Sequence, residues 1–269
     1  MAQQKKLEDP VKYRAPALEK GLDIIELLAA HESGMTQSAI AKSLDKSQGE
    51  IYRMLSTLVR RGYVSRVAKD QYSLSLKLFS TAQQHAPIER VLEVAQPLMR
   101  QFARSIRQSC HIVMENDAAI VVILSVEAPG NWGLMIRTGA VLGLWNSGAG
   151  RVLAAFRSEA EREELISGHA PVSGEPPLDR DKFLTEVAEV KRRGHYNKKS
   201  ETLYGVTNLT YPIFDPSGNA IAALTCPYLE RVDGHKAASR KDAAREISKI
   251  AEELSAYFRG EHLTGMETK

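Results

Sequence analysis

The sequence predicts an α+β protein made of two domains in series. Three observations carry this reading. Residues 17–74 hold three helix-like segments followed by two short strand-like segments around a basic turn. From residue 109 onward, β-branched strands joined by tight turns mix with amphipathic helices, which is the pattern of a largely antiparallel sheet with helices packed on it. Charge divides the chain in the same place. Residues 1–109 carry 17 Lys and Arg against 11 Asp and Glu, whereas residues 110–269 carry 19 against 22.

Composition bounds the class. The 269 residues suffice for two ordinary domains. A hydrophobic content of 43% with 26% charged residues fits a folded globular chain and excludes a disordered one. The two cysteines, Cys110 and Cys226, are too few for a disulfide framework and point to a reducing compartment. The start, MAQQKKLEDPVKYR, lacks the apolar core of a signal peptide, and the longest apolar run, Ala118 to Leu124, is too short to span a bilayer. A cytoplasmic protein with no membrane partner is expected.

The first domain reads element by element. Residues 1–16 are polar, with Pro10, Pro16 and four basic residues, and form a flexible basic arm. A helix follows over 17–30, with Leu18, Leu22, Ile25 and Ala29 on one face. Thr36 caps a short helix that ends at Leu44. Ser47-Gln48-Gly49-Glu50 is a capping box opening a helix that runs to about Arg61. Ile51, Met54, Leu55 and Leu58 lie at i, i+3, i+4, i+7, one buried face. Arg53, Ser56 and Arg60 point the other way, with Gly49 beside them and Tyr52 and Thr57 at the flanks. Gly62 stops the helix, and Tyr63–Val67 and Gln71–Leu74 make a wing around Lys69-Asp70. Two helices, a short turn and a wing form a winged helix-turn-helix, whose second helix fits the major groove of double-stranded DNA. The basic half of the chain is this half, as phosphate binding requires. The candidate DNA contacts are Thr36, Ser47, Gln48, Gly49, Tyr52, Arg53, Ser56, Thr57 and Arg60, with Arg66 and Lys69 on the wing.

A short helix over 75–84 completes the domain at residue 86. Residues 87–108 read as a linker helix. Val91, Ala95, Leu98 and Phe102 line one side and Leu92, Met99 and Ile106 another, so it needs two partners, read as the winged domain and a second copy of the chain in preference to burial inside one domain. The second domain spans 109–260, before a tail over 261–269. Strands are expected at 111–115, 119–126, 206–214 and 220–226, and weaker ones at 133–138 and 141–144. Helices are expected from Gly148, over 159–166, over 181–193 with Gly194 as the stop, and over 240–258.

A search for catalytic chemistry finds no convincing constellation. His111, His169, His195, His235 and His262 have no neighbour at zinc-site spacing and read as solvated or structural. Cys226 has no base paired to it by motif and reads as a core thiol. Ser147 lacks the glycine a nucleophile elbow needs, and Gly148-Ala149-Gly150 lacks dinucleotide spacing. No catalytic residue, metal or cofactor is expected. A glycine run opening a helix leaves backbone N–H groups free to hold a carboxylate; it can equally be plain helix-start punctuation, and both readings stay open.

These motifs together resemble the IclR family of transcriptional regulators over nearly the whole chain. The resemblance rests on Ala17–Leu22 and Arg60-Arg61-Gly62-Tyr63-Val64 in the first domain. In the second it rests on Ser147–Ala155, Arg193–Tyr196, Gly205–Leu209 and the Pro212–Gly218 hairpin. It implies a GAF-like effector-binding domain joined by the linker helix to the winged domain, a dimer or dimer of dimers, and control of operator binding by a ligand; the ligand expected from the free N–H groups of Gly148 and Ala149, with Lys198 adding positive charge, is a small organic acid. It further implies a pocket in which Gly148 and Ala149 offer N–H groups, Leu134, Leu142 and Val206 give apolar wall, and Asn208 and Thr225 face the ligand. Lys198 stands where some members carry an acid, and Pro227 where some carry a serine. Trp145, with Trp132, flanks the same loops. The expected function is a repressor of a catabolic operon. The rivals are an effector-free dimeric repressor and an enzyme fused to a DNA-binding module, for which Lys198 beside Asn208 offers carbonyl chemistry.

Overall fold

The structure, a computed structural model, describes residues 14–67, 70–84, 86–232 and 238–261. The chain divides between Ala86 and Pro87 into two compact units. Among the described residues no helix is long and apolar enough to cross a membrane.

The first unit contains α1 (Pro16–Ala29), β1 (Met35–Thr36), α2 (Gln37–Ser43), α3 (Gln48–Arg60), β2 (Val64–Val67), β3 (Gln71–Leu74) and α4 (Lys77–Gln83). Local chemistry sets the helix starts. Thr36 Oγ1 accepts from the Ala39 amide at 3.2 Å. Ser47 Oγ accepts from the Glu50 amide at 3.3 Å, while Glu50 Oε2 accepts from the Ser47 amide at 3.1 Å, a complete capping box. Gly62, at φ +78°, ends α3. Ile24, Leu28, Ile40, Ile51, Leu55, Val64 and Tyr72 fill the core. The face of α1 is not the expected one: Gly21, Ile24 and Leu28 are buried, whereas Leu18 is 62% and Leu22 49% exposed. Burial of Ile24 and Leu28 in the core sets this rotation, and Lys20, one turn before Ile24, pairs with Glu50 of α3. The wing gains a third strand, β1, with Met35 opposite Tyr72 of β3.

The second unit contains α5 (Ala86–Ile106), β4 (Cys110–Asn116), β5 (Ala119–Val126), β6 (Val141–Leu142), α6 (Gly148–Ala155), α7 (Glu159–Gly168), α8 (Arg180–Arg193), β7 (Tyr196–Lys199), β8 (Val206–Phe214), β9 (Ala220–Leu229) and α9 (Arg240–Phe258). The strands form one sheet, β6-β5-β4-β9-β8-β7, with every neighbouring pair antiparallel. Alternation along the strands separates two cores. Ile112, Leu224, Cys226 and Leu209 pack against α5 and α9. Val113, Val122 and Ala223 pack with Val152 and Leu153 of α6, Leu165 of α7 and Phe183 and Val187 of α8.

The helix expected to be a linker is α5, and its buried stripe is Val91, Ala95, Met99, Phe102 and Ile106. The two apolar sides expected for it thus merge into one, seated on the sheet of the second unit, with Leu92 and Leu98 half-buried at its margins. Residues 133–138 form no strand, while β7 was not foreseen: its Tyr-Asn-Lys-Lys sequence lacks the alternation of a half-buried strand.

Candidate DNA-binding face and ligand cavity

The outward face of α3 carries Gln48, Gly49, Tyr52, Arg53, Ser56, Thr57 and Arg60, all exposed, and Thr36 and Ser47 are exposed at the two helix starts. Among the described residues neither Arg53 nor Arg60 has an acidic partner. Both guanidinium groups are therefore available to an outside anion. Arg66 on the wing is paired with Asp70, and Lys69 lies outside the described residues. The Glu50 carboxyl is held down at about 2 by Lys20 and by the Ser47 hydroxyl and amide, so the α3 cap stays charged near neutral pH.

The second unit contains a cavity of about 550 Å³ on the sheet face that carries α6. Its floor is a row of side chains on one face of three strands: His111 of β4 stands opposite Thr225 of β9, and Asn208 of β8 opposite Pro227 of β9. Val206, Leu134, Leu142 and Ile136 supply apolar wall, and the start of α6 closes one end with Gly148 and Ala149. Eight of the sequence-derived pocket residues thus meet here: Leu134, Leu142, Gly148, Ala149, Val206, Asn208, Thr225 and Pro227.

At the α6 start, Ser147 Oγ accepts from the Gly150 amide at 3.0 Å and donates to the Gly143 carbonyl at 2.6 Å. The amides of Gly148 and Ala149, at the first two helical positions, have no partner within the helix. The glycines themselves answer to packing. A Cβ on Gly148 would lie 2.6 Å from the Tyr196 ring, and one on Gly150 would lie 2.0 Å from the Leu144 carbonyl. Packing therefore explains the glycines, and Gly148 and Ala149 both line the cavity.

Two of the expected pocket residues stand elsewhere. Lys198 does not line the cavity: α8 captures its ammonium, with Glu189 at 2.7 Å and Glu186 at 3.3 Å. Trp145 is buried behind the wall, its indole N–H donating to the Pro176 carbonyl at 2.7 Å and its ring edge-on to His169. Trp132 is 76% exposed.

The charged groups near the cavity are already committed. Arg151, 1% exposed, bonds Glu201 at 3.0 Å and Glu186 at 2.5 Å, and lies over the Tyr196 ring. Glu201 reaches the cavity wall but also bonds Lys182 at 2.8 Å. Burial works to raise its carboxyl, and Lys182 and Arg151 outweigh burial and hold it below the usual range. His169 and Glu175, both buried, pair at 2.8 Å. Glu175 also accepts from the amides of Trp145 and Val172, which fastens the loop that supplies Val172 and Pro176 to the cavity. His111 is 3% exposed, and burial pushes its pKa down to about 4, so it is neutral at pH 7.

The sequence reading missed His111, Asn146, Arg151 and the His169–Glu175 pair. Only Arg151 left a signal, as the lone charge in the apolar helix GAGRVLAA. The thiols are not poised for chemistry: burial pushes Cys110 up to about 12 and Cys226 well above the usual value. Among the described residues no cluster of His, Cys, Asp and Glu has the make-up of a metal site.

A helix-turn-helix with a free basic face, followed by a unit with a lined cavity, defines a DNA-binding regulator with a sensor domain. The comparisons with known proteins agree. Residues 17–68 match the IclR helix-turn-helix domain, and residues 84–256 match the bacterial transcriptional regulator IclR C-terminal domain. The chain belongs to the IclR family: it is a DNA-binding transcriptional regulator with an effector-binding C-terminal domain, not an enzyme. It is 24% identical over 200 residues to the HTH-type transcriptional regulator KdgR of Escherichia coli, covering 73% of this chain and 75% of that one. It is also 24% identical over 221 residues to the HTH-type transcriptional repressor AllR of Escherichia coli, covering 81% and 82%. Among solved structures it resembles an IclR homolog from Microbacterium hydrocarbonoxydans complexed with 4-hydroxybenzoate, with a TM-score of 0.73, 19% identity and coverage of 91% and 99%.

Proposed function

We propose that the protein is a repressor of a catabolic operon, released or engaged by a small organic acid that binds in the cavity of the second unit. The observation that supports this most directly is the pair of unpartnered α6 amides, Gly148 and Ala149, at the cavity end. A helix N-terminus favours a carboxylate through its free N–H groups and its dipole. Leu134, Leu142 and Val206 would cover the apolar body of the acid, and Asn208 and Thr225 would orient it. The solved relative complexed with 4-hydroxybenzoate, a carboxylate of this size class, is in keeping with the reading. So is the repressor role of AllR.

On the DNA side, Arg53 and Arg60 would carry the main contacts from α3, assisted by Gln48, Tyr52, Ser56 and Thr57. A homo-oligomer fits the exposed Leu18 and Leu22 of α1 and the exposed Leu76 and Phe79 at α4, all in the first unit. A symmetric dimer would read a palindromic or repeated operator in the cytoplasm.

The test is a thermal-shift screen of small carboxylic acids, each beside its neutral amide. At least one acid should raise the melting temperature, its amide should not, and the acid should change operator binding in a gel shift. Equal stabilisation by acid and amide would remove the carboxylate from the account.

A further inference from the structure

The cavity holds a buried side chain that nothing in the protein satisfies. His111 lines it and is 3% exposed, yet among the described residues neither ring nitrogen has a hydrogen-bond partner. Asn146 lines the same space, is 8% exposed, and its amide group likewise has no partner among the described residues. Polar groups this deeply buried are almost always bonded to protein, water or ligand. Their donors and acceptors therefore face the contents of the cavity.

Geometry separates His111 from the α6 amides, while Asn146 lies two residues before Gly148. Gly148 rests on Thr210 of β8, whose hydroxyl would be 2.8 Å from a Cβ there. Thr210 stands opposite Thr225 of β9, and Thr225 opposite His111 of β4. His111 is thus two strands from Thr210, roughly 10 Å at the usual strand spacing. The cavity of about 550 Å³ has room for an acid that spans the two positions.

The charge of the second end is constrained as well. No Lys or Arg lines the cavity among the described residues, and the acidic lining residue, Glu201, is neutralised by Arg151 and Lys182. A second carboxylate would find no cation there. Neutral imidazole offers one donor and one acceptor, the complement of a hydroxyl.

We propose that the effector is a monocarboxylic acid carrying an uncharged hydroxyl at its far end, and that His111 reads that hydroxyl. This rests on the carboxylate reading of the α6 amides and adds the second anchor, which makes His111 a specificity-determining residue.

The experiment is calorimetry on the full chain with matched probes: 4-hydroxybenzoate, benzoate and terephthalate, then 6-hydroxyhexanoate, hexanoate and adipate. In at least one series the hydroxy acid should bind on the order of tenfold or more tighter than its deoxy partner, and the diacid should bind worst. His111→Phe should abolish the preference by weakening the hydroxy acid alone, and His111→Gln, which keeps a donor and an acceptor, should retain part of it. Equal affinity for hydroxy and deoxy acids in the wild-type protein overturns the proposal while leaving the carboxylate reading standing, and needs no variant to fold. A preference that survives His111→Phe overturns the role of His111. Failure of every acid to bind overturns both readings together.

Discussion

Acidification should unload the second unit through His111, and the effect can be sized. An exposed histidine titrates near 6.5, whereas burial holds His111 at about 4. The unfolded chain therefore takes up a proton first. Stability is complete above about pH 6.5 and falls as the pH drops toward 4, with a slope of about 1.4 kcal/mol per pH unit. Between about pH 6.5 and 4.5 the loss from this one group is roughly 2–3 kcal/mol. His111→Gln removes the titration. The assay is urea unfolding at stepped pH, followed by tryptophan fluorescence. Both tryptophans, Trp132 and Trp145, belong to the second unit, so the signal reports the unit that holds His111. Other groups contribute equally to both proteins and cancel in the difference. The wild-type protein should lose roughly 2–3 kcal/mol more than the variant over that interval. Parallel pH profiles would refute the claim that His111 is buried and neutral.

Three further outcomes are expected. Arg151→Met removes a buried cation bonded to Glu186 and Glu201. Loss of a buried partner costs about 3–5 kcal/mol, and since Lys198 and Lys182 remain beside the two acids, the lower end applies, read as a drop in melting temperature of roughly 6–12 °C. Arg53→Ala should weaken operator binding by about 1–3 kcal/mol and relax specificity at one base if it reads a base, or lower affinity for all sequences and flatten the salt dependence if it touches phosphate; an unchanged gel-shift titration would exclude both. Lys198→Met should weaken acid and amide equally or not at all, because Glu186 and Glu189 already hold its ammonium, and a selective loss for the acid would return Lys198 to the cavity.

What the sequence disclosed follows from how local each signal is. The α3 helix was legible to its cap because a capping box and a 3.6-residue stripe are complete within 13 residues. The β8–β9 hairpin was legible because Asp215 to Asn219 form a turn with its own side-chain bonds. The buried side of α5 was not, since both of its apolar stripes satisfy the helical period and the sheet beneath takes Val91, Ala95 and Phe102 from one and Met99 and Ile106 from the other. The face of α1 was hidden likewise, because the core that takes Ile24 and Leu28 is built from α2, α3 and the wing. In the cavity, Gly148 and Ala149 stood out because glycines opening a helix are a local mark. His111 did not, because what buries it comes from β9 and the α6 loop, far along the chain. Lys198 was placed correctly beside Asn208 by register. Its side chain turns to α8 because Glu186 and Glu189, one helical turn apart, form an acidic pair that no reading of β7 alone reveals.

We infer that occupancy of the second-unit cavity changes how the first unit holds DNA. Fluorescence anisotropy tests it most directly. The full chain is titrated into labelled operator DNA, drawn from the region flanking its own gene, with and without a saturating amount of an acid shown to bind by calorimetry. Coupling between sites is typically 1–3 kcal/mol, so the dissociation constant should move by roughly fivefold or more, in one direction. An operator affinity that stays the same with the cavity filled would contradict this coupling.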